Sequence, residues 1–159
     1  MLITRRLTGV IDRPTEEVRA QFCDMPYHVS QNVHPNVRFT IHSEGEGAHC
    51  AFRQEVTLAG MKQTDEVENS LLPDGSLQSA IVGGVNAGGS LVVSFMPEAT
   101  KSTRVSAVLT IPANGLRTLV APLIGAAAKR ELWKAFLQDK RDLEAGNYAR
   151  YRAARTPSA

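Results

Sequence analysis

The order of the predicted elements constrains the fold of this chain more than any other feature. The sequence predicts a first strand over Met1–Asp12, two short helices over Pro14–His34, six further strands between Asn36 and Pro112, and a long helix from about Asn114 to Gly146. Strands that follow one another through short turns form an antiparallel meander. A long curved sheet wrapped on one amphipathic helix leaves a hollow, and such hollows bind small apolar molecules. We therefore expect an α+β fold with a cavity between sheet and helix.

Two neighbouring strands carry polar residues on the row that is expected to face the interior. The alternation of side chains predicts two inner rows, one of Cys50, Phe52, Gln54, Val56 and Leu58, the other of Met61, Gln63, Asp65, Val67, Asn69 and Leu71. A polar group left unpaired in an apolar core costs about 1–3 kcal/mol. The polar members of these rows therefore face a wet or ligand-filled cavity, or the rows are shifted by one residue and they face water.

Composition limits the class of protein. The chain has 159 residues, of which 43% are hydrophobic, which is enough for one domain with a real core. We expect that domain over residues 1–146, followed by a polar, flexible tail over 147–159. The longest nearly apolar run, Leu116–Ala128, is too short and too interrupted to cross a bilayer.

Charge and cysteine content point to the cytoplasm and away from nucleic acid. The net charge of +2 comes partly from Arg150–Arg155 at the end of the chain, and the signs are mixed elsewhere. The first residues lack the apolar stretch of a signal peptide, so Cys23 and Cys50 are expected to be reduced. We expect neither a nucleic-acid partner nor a dedicated cofactor, and the sequence leaves the oligomeric state open.

Four short segments carry a resemblance to a known superfamily. These are Asp12–Val18 at the start of the first helix, Glu44–Gly47 after the second strand, Ser102–Val105 entering the last strand, and Leu137–Glu144 at the end of the long helix. In this order the chain resembles the superfamily of START lipid-transfer domains, birch-pollen-type allergens and polyketide cyclase/dehydrase-like bacterial proteins (SRPBCC). The resemblance implies the helix-grip fold: a seven-stranded curved antiparallel sheet wrapped on the C-terminal helix, with two short helices after the first strand. It implies a ligand cavity but not one function.

Three function hypotheses follow. The first is a carrier or binding protein for a small hydrophobic or aromatic molecule. The second is a cyclase, dehydratase or lyase acting on a polyketide-like or aromatic substrate, with Asp65 as acid or base and with Gln54, Gln63 and His34 orienting the substrate. The third is an accessory protein that docks on a larger complex. The residues expected to line the ligand site are Tyr27, Phe52, Gln54, Gln63, Asn69, Ile81 and Trp133.

The remaining histidines and the cysteines predict little chemistry. His28 and His34 lie near the expected mouth of the cavity, where either can contact a ligand or remain a surface residue. His42 and His49 flank a turn on neighbouring strands, a placement that can hold zinc, but they fall on the outer face without an assured third ligand. We expect no metal site. The cysteines lack a Cys-x-x-Cys motif and are interpreted as small buried hydrophobic residues.

Overall fold

The computed structural model of the protein describes residues 1–156, and its elements follow the predicted order. Within this range no helix is both long enough and apolar enough to cross a membrane. In chain order the elements are β1 (Leu2–Ile11), α1 (Thr15–Cys23), α2 (Met25–Ser30), β2 (Arg38–Glu44), β3 (Cys50–Leu58), β4 (Met61–Leu71), β5 (Leu77–Gly84), β6 (Ser90–Ala99), β7 (Ser102–Pro112), a 3₁₀ turn (Gly115–Thr118), α3 (Ala121–Glu144) and α4 (Asn147–Arg155).

The strands form one antiparallel sheet in the order β1-β7-β6-β5-β4-β3-β2. Strands β2 to β7 are a meander, since each pairs with its neighbour in sequence. Strand β1 closes the other side by pairing with β7 from Leu2–Pro112 to Ile11–Thr103. The two edge strands are therefore β1 and β2, and α1 and α2 connect them. Together with the long helix α3, this arrangement confirms the helix-grip α+β fold.

Helix α3 packs closely on β1, and a glycine makes this approach possible. A Cβ atom at Gly9 would overlap the ring of Phe136, so any larger residue would push the helix away. Further along the helix, Nε of Arg5 donates a hydrogen bond to the carbonyl oxygen of Gly125 at 2.9 Å. These contacts fix one end of α3 against the sheet edge.

The predicted inner rows of β3 and β4 are confirmed except at the ends of β4, where Met61 and Leu71 are exposed. Cys50, Phe52 and Leu58 are buried on β3, and Val67 is buried on β4. The polar side chains of the β4 row are also buried, because Gln63, Asp65 and Asn69 are only 1–3% exposed. No one-residue shift occurs here, since an inverted row would expose these residues and bury Glu68 instead.

Two predicted helix boundaries differ from the structure. The two short helices were expected to extend to His34, but the second of them, α2, begins at Met25 and ends at Ser30. Asn32 has φ = 50°, in the left-handed region, which the right-handed helix cannot include. The long helix begins at Ala121 rather than near Asn114, since proline suits its first turn.

The expected flexible tail over 147–159 is wrong for the part of it that the structure describes. Residues Asn147–Arg155 form α4 after a left-handed Gly146. Tyr148 is 4% exposed, packs edge-to-face on Tyr27 with ring centroids 4.7 Å apart, and donates a hydrogen bond from its hydroxyl to Oδ2 of Asp24. This aromatic contact supplies the tertiary packing that a short helix needs for stability. Residues 157–159 lie outside the described part of the chain.

Candidate functional site

A cavity of about 250 Å³ lies between the inner face of the sheet and α3. Strands β3 to β7 form its floor, and α1, α2 and the segment before β2 close one side. Most of the lining is apolar, with Phe22, Met25, Phe39, Phe52, Leu132 and Phe136 as its larger members. Large apolar walls with a few polar groups are typical of small-molecule sites.

A second hollow, of about 510 Å³, is larger but has the character of a surface groove. It lies between α1 and the β2–β3 turn, and Glu16, Glu44 and His49 on its walls are exposed. Its walls offer a ligand less apolar surface than the walls of the interior cavity do. The interior cavity is therefore the candidate site.

The sheet side of the cavity carries the polar residues Gln54, Asn69 and Ser79. Asn69 is 2% exposed, and its Oδ1 atom is buried without a hydrogen-bond partner among the described residues. A buried amide oxygen left unpaired costs about 1–3 kcal/mol. A ligand with an N–H or O–H group at this position would remove that cost.

The helical side of the cavity carries two histidines and an aspartate. Nε2 of His28 lies 3.0 Å from Oδ1 of Asp139, and Nε2 of His34 lies 3.3 Å from Oδ2 of the same carboxylate. The two imidazole rings stack with centroids 5.3 Å apart. All three residues line the cavity, and their side chains are 4–10% exposed. We call this group the His–Asp–His cluster.

In the cluster, burial and the nearby charges shift the pKa values of Asp139 and His34 in opposite directions. Burial alone raises the pKa of Asp139, but the charge of His34 and the hydrogen bonds from both histidines outweigh burial and hold that pKa below its usual range. Burial lowers the pKa of His34, but the Asp139 charge and hydrogen bonds to Asp139 and Gln138 outweigh it and raise that pKa. Asp139 is therefore ionised at neutral pH.

Neighbouring polar side chains hold Asp139 in place. Nε2 of Gln21, which is fully buried, donates to Oδ1 of Asp139 at 3.0 Å and to Oδ2 of Asp142 at 3.2 Å. The hydroxyl of Tyr27 donates to the same Asp142 carboxylate at 2.7 Å. Helix α1, helix α2 and α3 are thereby tied together behind the cluster, which limits the motion of the aspartate.

The predicted site residues divide into two groups. His34, Phe52, Gln54 and Asn69 line the cavity. The other predicted residues lie elsewhere. Tyr27 is buried behind the cluster, Ile81 packs with the buried side chains of β3 and β4, and Gln63 accepts a hydrogen bond from Asn86.

Asp65 is buried but does not line the cavity, so the placement expected for a catalytic acid or base is wrong. Its Oδ1 accepts from the backbone N–H of Asn86 at 2.8 Å and its Oδ2 from Nδ2 of Asn86 at 2.7 Å. Arg117 in turn donates to Oδ1 of Asn86 at 2.7 Å. The carboxylate is 1% exposed and holds the β5–β6 turn against β4.

Trp133 is also misplaced by the sequence prediction. Its side chain is 45% exposed, and it stacks on the outer side of Phe136 with ring centroids 5.5 Å apart. Phe136 is the aromatic residue of α3 that faces the cavity. The apolar stripe of the helix faces the cavity through Leu132 and Phe136, and Trp133 lies to one side of it.

The sequence analysis did not single out Asp139 as a site residue. Asp139 follows Leu132 and Phe136 and precedes Leu143 at spacings of three and four residues, which put all four on one helical face. It also assigned His28 to the mouth without linking it to an acid. The sequence signal for Asp139 was a carboxylate at the helical spacing of the apolar residues of α3.

Comparison with known proteins supports the fold. No family model and no curated protein matches the chain. A START superfamily protein from Mycobacterium smegmatis is similar at 16% identity and a TM-score of 0.69, with 88% of this chain and 98% of that chain covered. A protein from Thermus thermophilus is similar at 22% identity and a TM-score of 0.70, with 89% and 98% covered.

A third similar structure is the Zhui aromatase/cyclase from Streptomyces sp. R1128. It is 19% identical, with a TM-score of 0.64 and coverage of 99% of this chain and 100% of that chain. At this level of identity, likeness establishes the fold and not the activity. The expected resemblance to the START-type helix-grip superfamily is thus confirmed for the fold of the chain.

Proposed function

We propose that this protein binds a small, largely apolar or aromatic molecule in the cavity between the sheet and α3. The observation that carries the proposal is the combination of apolar walls with the unpaired Oδ1 of Asn69. Apolar walls favour ring or chain atoms, and the amide oxygen favours a hydrogen-bond donor on the ligand. The preferred ligand is therefore aromatic or aliphatic with at least one hydroxyl or N–H group.

The size of the cavity limits the ligand further. Its volume of about 250 Å³ is below the range of about 300–1,000 Å³ that is common for small-molecule pockets. A one- or two-ring molecule fits this volume better than a two-chain lipid. At about 0.5 kcal/mol per non-hydrogen atom, a two-ring ligand would bind with a Kd on the order of 0.1 mM.

Native mass spectrometry of the protein as purified from cells, followed by titration with 2-naphthol, tests this function. Ala107→Leu adds bulk to the cavity floor, because Ala107 lines it from β7. Ala80→Leu is the matched control, since Ala80 is next to the lining residue Ser79 on β5 and points to the opposite face. Binding that is lost in Ala107→Leu and kept in Ala80→Leu supports the cavity. Equal binding by the wild type and Ala107→Leu contradicts it.

A reaction on a polyketide-like or aromatic substrate is the second candidate. The likeness to an aromatase/cyclase over nearly the whole chain favours this class. Of the residues expected to orient a substrate, Gln54 and His34 line the cavity. The test is incubation of the protein with an aromatic poly-β-ketone, which can undergo an intramolecular aldol condensation, and detection by mass spectrometry of the cyclised product that has lost one water. An unchanged substrate, recovered bound to the protein, leaves binding as the function.

The site of action that we propose is the cytoplasm. Both cysteines of the chain, Cys23 and Cys50, are free thiols, which suits a reducing compartment.

Docking on a larger complex, the third function expected from the sequence, predicts a filled core and an exposed apolar patch. The cavity favours ligand binding over that alternative.

A further inference from the structure

We propose that His28, His34 and Asp139 form a site for a divalent transition-metal ion such as Zn²⁺ on the helical wall of the cavity. Each side chain offers one ligand atom, and the three atoms lie within 4.8 Å of one another. Two imidazole nitrogens and a carboxylate oxygen are a common set of protein ligands for zinc and for other first-row metals.

The distances within the cluster fit a shared ion. Ligand atoms placed about 2.0–2.2 Å from a tetrahedral zinc ion lie about 3.3–3.6 Å from one another. Nε2 of His34 lies 3.3 Å from Oδ2 of Asp139, at the edge of this interval, and Nε2 of His28 lies 3.0 Å from Oδ1, slightly below it. Small side-chain rotations would close the remaining separation around one ion.

The second nitrogen of each ring is already held as metal-binding histidines require. Nδ1 of His28 donates to the backbone carbonyl oxygen of Asp24 at 2.8 Å. Nδ1 of His34 donates to Oε1 of Gln138, also at 2.8 Å. A metal-ligating histidine almost always donates its other N–H to a carbonyl or carboxylate, which fixes the tautomer. In both neutral rings the lone pair is then on Nε2, the atom that faces Asp139.

The centre of the cluster is a suitable place for a cation, because the Asp139 carboxylate faces Nε2 of both rings. A cation shared by both rings and the carboxylate would make a favourable contact with each of them. One divalent ion satisfies all three groups at once and leaves Nδ1 of each ring bonded as it is.

The carboxylate is supported in the same way as the rings. Nε2 of Gln21, a fully buried residue, donates to Oδ1 of Asp139 at 3.0 Å. Ligating carboxylates are commonly held by such a hydrogen bond. Since the three ligands line the cavity, the remaining coordination positions of the ion would open toward the bound molecule.

Another histidine–carboxylate pair of the same chain provides a matched control. Nε2 of His42 lies 2.9 Å from Oε2 of Glu66, a distance close to that in the cluster. The side chains of this pair are 44% and 33% exposed, against 4–10% in the cluster. An exposed pair that offers two ligand atoms binds a metal ion only weakly, because water competes with both ligand atoms for the ion.

The experiment uses the full chain without an affinity tag, treated with a chelator and then dialysed. We would titrate it with Co²⁺, follow the visible absorption of the bound ion, and displace Co²⁺ with Zn²⁺. The expected result is one ion per chain and complete displacement by Zn²⁺, which binds such ligands more tightly. In parallel, the ¹⁵N resonances of the His28 and His34 rings should shift on addition of Zn²⁺, while those of His42 stay in place.

Four variants decide between the cluster and adventitious surface binding. Gln138→Leu removes an outer hydrogen bond and should weaken Co²⁺ binding about 10- to 100-fold. His34→Ala and Asp139→Asn remove ligands and should weaken it more, and His42→Ala should leave it unchanged. If circular dichroism shows that Asp139→Asn does not fold, Co²⁺ binding by His34→Ala is compared with that of the wild type and His42→Ala instead. The proposal is overturned if the wild type does not bind Co²⁺, if His34→Ala binds as the wild type does, or if His42→Ala abolishes binding.

Discussion

Replacing Asp65 distinguishes a structural carboxylate from a ligand-contacting one. Asp65 is 1% exposed and accepts two hydrogen bonds from Asn86, at 2.8 Å from the backbone and 2.7 Å from the side chain. Both bonds have a charged acceptor and fix the β5–β6 turn. We expect Asp65→Ala and Asp65→Asn to lower the free energy of unfolding and to leave the ligand affinity of the folded protein unchanged.

The magnitude follows from the number and type of bonds lost. A hydrogen bond to a charged group contributes about 1.5–3 kcal/mol. Asp65→Ala removes both and leaves donors of Asn86 buried, so we expect a loss of about 3–5 kcal/mol. Asp65→Asn keeps an oxygen for one Asn86 donor but directs an NH₂ group at the other, which predicts a loss of about 2–3 kcal/mol. Either loss is a large part of a typical stability of about 5–15 kcal/mol.

Urea unfolding followed by far-ultraviolet circular dichroism measures the change, and 2-naphthol titration measures the affinity. Glu68→Gln is the control, because Glu68 is an exposed carboxylate on the same strand. The Glu68→Gln substitution should change the free energy of unfolding by no more than about 0.5 kcal/mol. If Asp65→Asn unfolds at the urea concentration of the wild type but no longer binds 2-naphthol, the structural account of Asp65 is refuted.

Three further results are expected. Asn69→Leu should erase the roughly 2- to 10-fold preference for 2-naphthol over naphthalene that a hydrogen bond to Oδ1 predicts, and equal loss of both ligands would contradict this role. Burial raises the pKa of the Cys23 thiol to about 11. The thiolate fraction at pH 8 is then roughly 100-fold lower than for a thiol of pKa near 9, so native alkylation should be slow and denaturant should restore it; fast alkylation of the folded protein would contradict the raised pKa. Residues Tyr27–Pro35 should exchange amide hydrogens faster than β4 and become more protected with 2-naphthol bound, whereas equal protection in both states would place the ligand entrance elsewhere.

The strands of this fold are predictable because their signal is local. Each strand has a period of two, and turn residues mark where it ends, so the sequence predicts the inner rows of β3 and β4 except at the ends of β4. It leaves open whether the polar residues of the β4 row are buried or face water. What separates Asp65 from Asn69 on that row is the β5–β6 turn, whose Asn86 reaches the first and not the second. That contact joins residues that are 21 positions apart, and no local pattern reports it.

The helical segments were harder to predict because packing decides their ends. Residues after Gly146 are polar and rich in arginine, which suggested a frayed end. Tyr148 and Tyr151 nevertheless pack on Tyr27, each with a centroid distance of 4.7 Å, and this contact orders α4. A helix of nine residues is too short to be stable alone, so its presence depends on a partner that lies more than 100 residues earlier.

The His–Asp–His cluster shows how much of a site a sequence can predict. His28 and Asp139 are 111 residues apart, so their contact depends on the final packing of α2 on α3. The position of Asp139 on the helix was nevertheless readable, since Leu132, Phe136 and Leu143 share its face. A carboxylate buried on such a face stays ionised only when donors or cations surround it. Helix α1 offers Gln21, helix α2 offers His28, and the segment between α2 and β2 offers His34 for that purpose. An acidic residue in the buried stripe of α3 therefore predicts its own partners once the helix-grip fold is known.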